Sequence, residues 1–485
     1  MSRLKTLVAN VAAVVSGKAV AAIAGLATIM LLTRNLGPQE FGYYRTVLTF
    51  AGFSAVLADS GFYMVGLREM SRPGADKARV AGAMLPLRFL ISVGFLVIAC
   101  SFIWVFPYDD TVKRGAWLGA GVYACGQASE LVVAILQSVE KQGRNAIAEG
   151  TGALVVLALT WGLALLGVGA IPMLAVTFCG ALLSLAISMT LARGLVPFKL
   201  HIDLRAWRKY IVLGLPMAGA QIVGMAILRG DSLILSLFAP ASDVGLYGVS
   251  TKLFEIATSL AFMIGGVMMP ALTAAAIHGS RDEFSRTMGN VFDTAAIYGV
   301  GAVLGLSPFA AGLLTLISGP AFAVGAPALV LISVAIALSA MSHVLRFVLV
   351  SCEKSRLVLQ ADAIACAVGF TAYFVLIPRY SLVGAAIGTV VAEGCSLVGM
   401  LRGVKRAGYP LPSPRNLFKA IGAGIVAYAA MVAGDQFEVP WLLCLLVGVG
   451  IYLVILAVTH AIPPELVATV IRRRSPDLNG APPVG

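Results

Sequence analysis

Polar content is what this sequence lacks. Only 12% of its residues are charged, too few to clothe the surface of a soluble chain of 485 residues. Histidine is scarce and scattered, at His201, His278, His343 and His460. The cysteines (Cys100, Cys125, Cys179, Cys352, Cys366, Cys395 and Cys444) show no CxxC spacing and mostly fall inside apolar runs. They read as small buried hydrophobes, so neither a disulfide framework nor a metal centre is expected. No Walker-type phosphate loop, nucleotide-binding fingerprint or catalytic constellation occurs, which argues against direct ATP drive and against an enzyme. No cofactor is expected.

Hydrocarbon is what the chain has in excess. Mean hydropathy is +0.93 and 59% of the residues are hydrophobic, the composition of a polytopic membrane protein. Fourteen apolar segments are each long enough to cross a bilayer as a helix. They cover 7–33, 42–66, 81–105, 115–138, 147–167, 171–192, 210–237, 245–269, 291–317, 325–349, 357–377, 382–401, 416–434 and 440–462. The fold class expected is all-α, with about 14 transmembrane helices. Arg3 and Lys5 precede the first segment as in a signal peptide, but the run continues to Leu32 without a cleavage site, so a retained helix is expected.

The net charge of +12 follows membrane orientation and does not point to nucleic acid. With the N-terminus in the cytoplasm, one side collects Arg68, Arg72, Lys77 and Arg79, then Arg193, Lys199, Arg205, Arg208 and Lys209, then Arg402, Lys405, Arg406, Arg415 and Lys419. The other side has Arg34, Lys113, Arg114 and Arg379, with Arg45 just inside a segment. This is the positive-inside bias, and it places both termini in the cytoplasm. Outer loops are short, which leaves no room for the catalytic platform an outer-face glycan polymerase or ligase would need. The linker 194–209 is basic, carries Trp207, and is expected to lie on the inner membrane surface. It splits the chain into 1–193 and 210–401, followed by 402–462 and a polar tail, 463–485, that reads as disordered.

The costliest residues cluster between Gly214 and Glu255, where Arg229, Asp231, Lys252 and Glu255 interrupt two apolar runs. A charge at mid-membrane costs roughly 2.5–3.5 kcal/mol, so each needs a partner or water. Asp231 and Lys252 sit at matching depths, as do Arg229 and Glu255; Lys252 and Glu255 can also pair along one helix face. Lys18 and Asp59 match in depth in the first hairpin. For all of these, structural pairing and the lining of a water-filled cavity both stay open. Arg88 and Arg346 lie nearer the cytoplasmic ends, where they either snorkel or form an inner mouth for a phosphate group. Glu130, Asp293, Asp362 and Glu393 are further intramembrane acids able to carry a coupling proton or cation, and nothing in the sequence selects one.

An internal repeat underlies the pattern. Leu36-Gly37-Pro38-Gln39-Glu40-Phe41-Gly42-Tyr43-Tyr44 aligns with Phe238-Ala239-Pro240-Ala241-Ser242-Asp243-Val244-Gly245-Leu246-Tyr247, each placing Pro in a turn, then Gly, then Tyr two residues on. Both turns face outward, as in parallel repeats.

These motifs, Arg34 to Tyr44 as R-x-L-G-P-x-x-F-G-x-Y and Asp231 with Val244 to Lys252 as V-G-x-Y-x-x-x-x-K, resemble polysaccharide flippases of the multidrug/oligosaccharidyl-lipid/polysaccharide exporter superfamily. The resemblance implies two six-helix lobes related by a parallel repeat, with two C-terminal helices outside. It implies movement of an undecaprenyl-diphosphate-linked oligosaccharide across the bacterial cytoplasmic (inner) membrane by alternating access. Glycosyltransferases and a polymerase would be its partners, and a proton or sodium gradient its drive. A multidrug–cation antiporter and a lipid II flippase belong to the same superfamily. The deep cations Lys18, Arg229 and Lys252 favour an anionic ligand over a cationic drug.

Overall fold

The computed structural model describes the backbone of residues 2–461 apart from 60, 73, 140, 142, 197–198, 278 and 438. Side chains are described from residue 20 onward, excluding also 57–59, 143, 215–224, 226–228 and 435. The side chains of Lys18 and Asp59, His278, and the tail 463–485 therefore lie outside the described residues.

Helices follow one another along the chain: α1 Ser2–Asp59, α2 Phe62–Met70, α3 Lys77–Phe102, α4 Asp110–Ser138, α5 Gly143–Ala164, α6 Ala170–Arg193 and α7 Leu204–Phe238. They continue with α8 Ala241–Ile277, α9 Arg281–Leu306, α10 Ala310–Ser318, α11 Ala326–Ser351, α12 Ser355–Arg406, α13 Arg415–Gln436 and α14 Trp441–Val458. No strand occurs among the described residues, and eleven helices are long and apolar enough to cross a membrane. The chain is an all-α, multi-pass membrane protein.

Each of the fourteen apolar segments falls on helix, with local breaks that the residues explain. Helix α1 holds the first two segments. It bends at Gly37, whose φ of 69° and ψ of 177° suit glycine far better than any other residue. Pro38 then opens the next helical run, where a missing N–H costs nothing. Helix α12 holds two segments in the same way, broken at Ser381 (φ 47°, ψ −125°) three residues after Pro378. The second segment does not run unbroken to residue 66: Gly61, at φ 71°, separates α1 from α2. Nor does the ninth run unbroken from 291 to 317. Helix α9 starts earlier, at Arg281, capped by the Ser280 hydroxyl, and stops at Leu306 just before Pro308.

The chain forms two compact units. Unit 1 takes Met1–Val249, Leu314–Gly325 and Tyr373–Ala385; unit 2 takes Ser250–Leu313, Ala326–Ala372 and Ala386–Gly485. In unit 1, Phe62, Met70, Met84, Leu131, Ile135 and Tyr210 pack into one core at the end where the 194–209 linker lies. The linker is bonded to α3: the His201 N–H donates to the Gly82 carbonyl (3.1 Å) and the Trp207 indole to the Ala83 carbonyl (2.9 Å). Gly82 permits this approach, because a Cβ there would collide with the Lys199 carbonyl oxygen.

Unit 2 has two cores. Phe284, Met288, Phe292, Val344, Leu345, Met400 and Val404 join α9, α11 and α12. Helices α13 and α14 pack on α9 through Ala420, Ala423, Ala427, Tyr452 and Leu304. The small residues at helical spacing let backbones approach closely, as helix association in lipid requires.

Candidate functional site

The two repeat turns meet in unit 1. A Cβ added to Gly42 would overlap the Ala241 carbonyl oxygen, and one added to Gly245 would overlap the Pro38 carbonyl oxygen. Each motif glycine therefore rests on the opposite turn beside its proline. The surrounding motif residues fasten this crossing to the rest of the unit. Glu40 accepts the Ala170 N–H at 2.8 Å, capping α6, and the Tyr44 hydroxyl bonds Thr177 at 3.0 Å. Phe41 meets Phe322 edge-on with centroids 6.1 Å apart. Arg34 donates to the Leu316 carbonyl, and the Ser381 hydroxyl, at the α12 break, donates to Asp243. The motif Arg34 thus ties α1, just before its bend at Gly37, to α10.

One turn deeper lies a buried polar cluster. Asp231, 6% exposed, accepts the Tyr247 hydroxyl at 2.6 Å and the Ser232 N–H at 2.6 Å. Arg45 acts electrostatically on Asp231, and its side chain covers Gly248, where a Cβ would stand 3.0 Å from the guanidinium Nε. In the repeat alignment Arg45 and Gly248 each follow the motif tyrosine, Tyr44 or Tyr247. The arginine of one half thus lies in the space left by a missing side chain in the other. Arg229 is half-buried on α7, half a turn from Asp231.

Arg88 does not snorkel. It is 1% exposed and donates to Gln127 and, at 2.6 Å, to Glu130, while Gln127 donates to the Ala55 carbonyl at 3.1 Å. Its charge is held by α4 inside the unit.

Unit 2 holds the remaining candidates. Lys252 pairs with Glu255 at 3.0 Å along one face of α8, the intrahelical arrangement anticipated from their spacing. Arg346 grips Asp362 with two parallel bonds, 2.5 and 2.9 Å, the fork geometry that suits guanidinium and carboxylate. Asp293 accepts from Asn416 at 2.6 Å. Glu393 lies on the second half of α12. Among the described residues, no three His, Cys, Asp or Glu side chains gather to hold a metal ion.

Arg45 is the residue that sequence reasoning passed over. Its signal was present: it directly follows the repeat tyrosine and opens an apolar run, where an unneeded charge is costly.

Comparison with known proteins agrees with this architecture. The family profile described as "Polysaccharide biosynthesis protein" matches residues 7–276, more than half of the chain. No curated protein matches the sequence. Among solved structures, the fold is similar to the lipid II flippase MurJ in an inward closed conformation. The TM-score is 0.79 at 12% identity, over 94% of this chain and 99% of that one. It is also similar to an inward-facing multidrug resistance MATE family transporter of the MOP superfamily, with TM-score 0.62, 17% identity, and 80% and 94% of the two chains covered. A MOP superfamily transporter from Pyrococcus furiosus follows at TM-score 0.51 and 17% identity, covering 83% and 96%. With a fold shared with the MOP transporters and a family match spanning more than half its length, the chain belongs to the polysaccharide biosynthesis protein family.

Proposed function

We propose that this protein is a transporter, not an enzyme, that moves a lipid-linked oligosaccharide across the bacterial cytoplasmic membrane by alternating access. Its substrate is an undecaprenyl-diphosphate-linked glycan destined for surface polysaccharide. Both termini face the cytoplasm, and the 36–44 and 238–247 turns face outward. Two six-helix lobes, 1–193 and 210–401, perform the cycle, joined by the 194–209 linker and flanked by 402–462. Glycosyltransferases supply the substrate, a polymerase consumes it, and a proton or sodium gradient drives the step.

The observation that carries this reading is the reciprocal seating of Gly42 and Gly245 above the Arg45–Asp231–Tyr247 cluster. A transporter needs an outer closure that makes and breaks without rearranging its core. Two helix ends whose turns meet backbone to backbone through glycine can part as rigid bodies once the Arg45 side chain is withdrawn from over Gly248. Beneath the closure, a diphosphate requires fixed cations to replace its hydration. Within unit 1, Lys18, Arg45 and Arg229 are the deep positive charges for this role; Lys252 is the corresponding candidate of unit 2 taken by itself. Asp231 and Glu255 hold such charges while no substrate is present.

A lipid II flippase is the second reading, favoured by the similarity of the fold to MurJ. The family match to polysaccharide biosynthesis favours the first. Purified protein in liposomes, given a fluorescent undecaprenyl-diphosphate oligosaccharide or lipid II on one face, decides between them. Transfer of the oligosaccharide lipid in preference to lipid II supports the proposal; the opposite preference sinks it.

A further inference from the structure

At the linker end of unit 1 lies a cleft of about 390 Å³ between the α2–α3 turn and the start of α7. Its centre is Glu69, 5% exposed. The Glu69 carboxylate holds Lys209 of α7 at 2.5 Å and Arg72, from the turn after α2, at 3.0 Å. Two cations on one buried carboxylate leave a positive excess, and both line the cleft about half exposed. Arg79 lines it too, 3.8 Å from Asp203 and so too far for a hydrogen bond. The other two acids of the lining are occupied at helix ends. Asp76 accepts the Arg79 N–H and Asp203 the Ala206 N–H, each at 3.0 Å, capping α3 and α7.

Around the cleft the surface is basic and apolar together. Residues 68–79 and 193–209 contain nine Lys or Arg against three Asp or Glu. Along the linker, Leu200, Ile202 and Leu204 are exposed, the last two at 72% and 71%, while His201 and Asp203 between them are half-buried. The bonds of His201 and Trp207 to α3 hold this alternation in place. On α7, Arg205, Arg208 and Val212 continue the exposed face at helical spacing. Apolar side chains held outward beside fixed cations suit a lipid–water boundary, where hydrocarbon and phosphate lie side by side.

We propose that this cleft binds the headgroup of an anionic phospholipid, whose acyl chains lie over the Leu200–Ile202–Leu204 ridge. The inference rests on the reading that the linker lies on the membrane surface, and it names what the linker meets there. The Arg79 guanidinium presents parallel N–H donors that match two phosphate oxygens, and Lys209 adds a point charge. Glu69 orders Lys209 and Arg72 before the lipid arrives, so less side-chain freedom is lost on binding. A zwitterionic headgroup brings its own ammonium, which these cations repel; the headgroup of phosphatidylglycerol does not. A transported diphosphate lipid shares the phosphate chemistry. With three carboxylates in its lining, however, the cleft suits the single charge of a phosphodiester better than the several charges of a diphosphate.

The test titrates full-length protein in detergent with phosphatidylglycerol or with phosphatidylcholine of the same chains, counting bound lipid by native mass spectrometry. Phosphatidylglycerol is expected to be retained at several-fold lower concentration. Arg72→Gln with Arg79→Gln, which leaves Lys209 on Glu69, should remove most of that preference. Arg402→Gln with Lys405→Gln, which takes the same charge from another basic segment, should leave it intact. Ile202→Ser with Leu204→Ser should lower the retention of both lipids, and unchanged retention overturns the seating of the chains. The site is overturned by equal retention of the two lipids in wild type, by a preference that survives the Arg72–Arg79 change, or by equal loss in the Arg402–Lys405 variant. Inorganic phosphate and undecaprenyl diphosphate serve as competitors, and neither is expected to displace phosphatidylglycerol at equal concentration. Displacement by the first would make this a free-anion site and by the second a station for the transported lipid; either overturns the phospholipid assignment. Because no transport is measured, failure here stands apart from failure of the lipid-transfer assay.

Discussion

Gly42 and Gly245 occupy equivalent positions in the two halves of the sequence, and each seats on the backbone of the other's turn, at Ala241 and Pro38. A contact of this kind has no side chain to compress, so any added carbon must move a helix. Gly42→Ala and Gly245→Ala are each expected to weaken the contact by about 1–3 kcal/mol, the usual cost of overpacking. The readout is labelling of a cysteine placed at Ser242 by a membrane-impermeant reagent. It should become several-fold faster in either glycine variant, with insertion unchanged. Equal labelling in wild type and variants would show that the crossing is not a closure.

Tyr247 gives the buried Asp231 carboxylate its 2.6 Å hydroxyl bond. Tyr247→Phe removes that donor and leaves a desolvated acceptor, at an expected cost of about 1–3 kcal/mol. Asp231→Ala should cost at least as much, because it strips the neighbourhood of Arg45 of its negative charge. Thermal unfolding in detergent measures both. Combining Asp231→Asn with Arg45→Gln should recover part of the loss, and absence of any recovery would separate Arg45 energetically from Asp231.

Arg88 and Glu130 make a similar prediction lower in unit 1. Glu130→Gln removes the carboxylate from a guanidinium that is itself 1% exposed, and the folded yield should fall, by less than a fully buried pair would cost because the Glu130 side chain is 56% exposed and Gln127 still accepts from Arg88. Replacing both, Arg88→Met with Glu130→Leu, should restore most of that yield. If the double variant is no better than the single one, Arg88 has a role other than pairing.

Hydropathy read the helices well because lipid imposes it directly: among the described residues each of the fourteen segments falls mainly on helix. The break at Gly37 was legible too, since a Gly-Pro turn carries its own backbone requirement. The break at Ser381 was not, because nothing about serine announces a positive φ. Depth counting set an expected level in the membrane for Arg229, Asp231, Lys252 and Glu255. Of their pairings, Lys252–Glu255 rests on one helix and was readable from spacing. Partners across helices depend on rotation about each helix axis, which depth does not contain. That is why Arg346–Asp362 emerged only in three dimensions. Arg45 was overlooked for a related reason: its place over Gly248 exists only once the two repeats are packed together.

The central claim is that deep fixed cations carry a diphosphate, and charge substitution in a transport assay tests it most directly. Full-length protein in liposomes would be given a fluorescent undecaprenyl-diphosphate oligosaccharide, with Lys18→Ala, Arg229→Ala and Lys252→Ala compared at equal insertion. Transfer is expected to fall at least tenfold in Lys18→Ala and Arg229→Ala, equivalent to about 1.4 kcal/mol or more of lost substrate or transition-state binding. Arg229→Lys should keep part of the activity, since it restores the charge without the fork. Wild-type transfer in all three alanine variants would contradict the account.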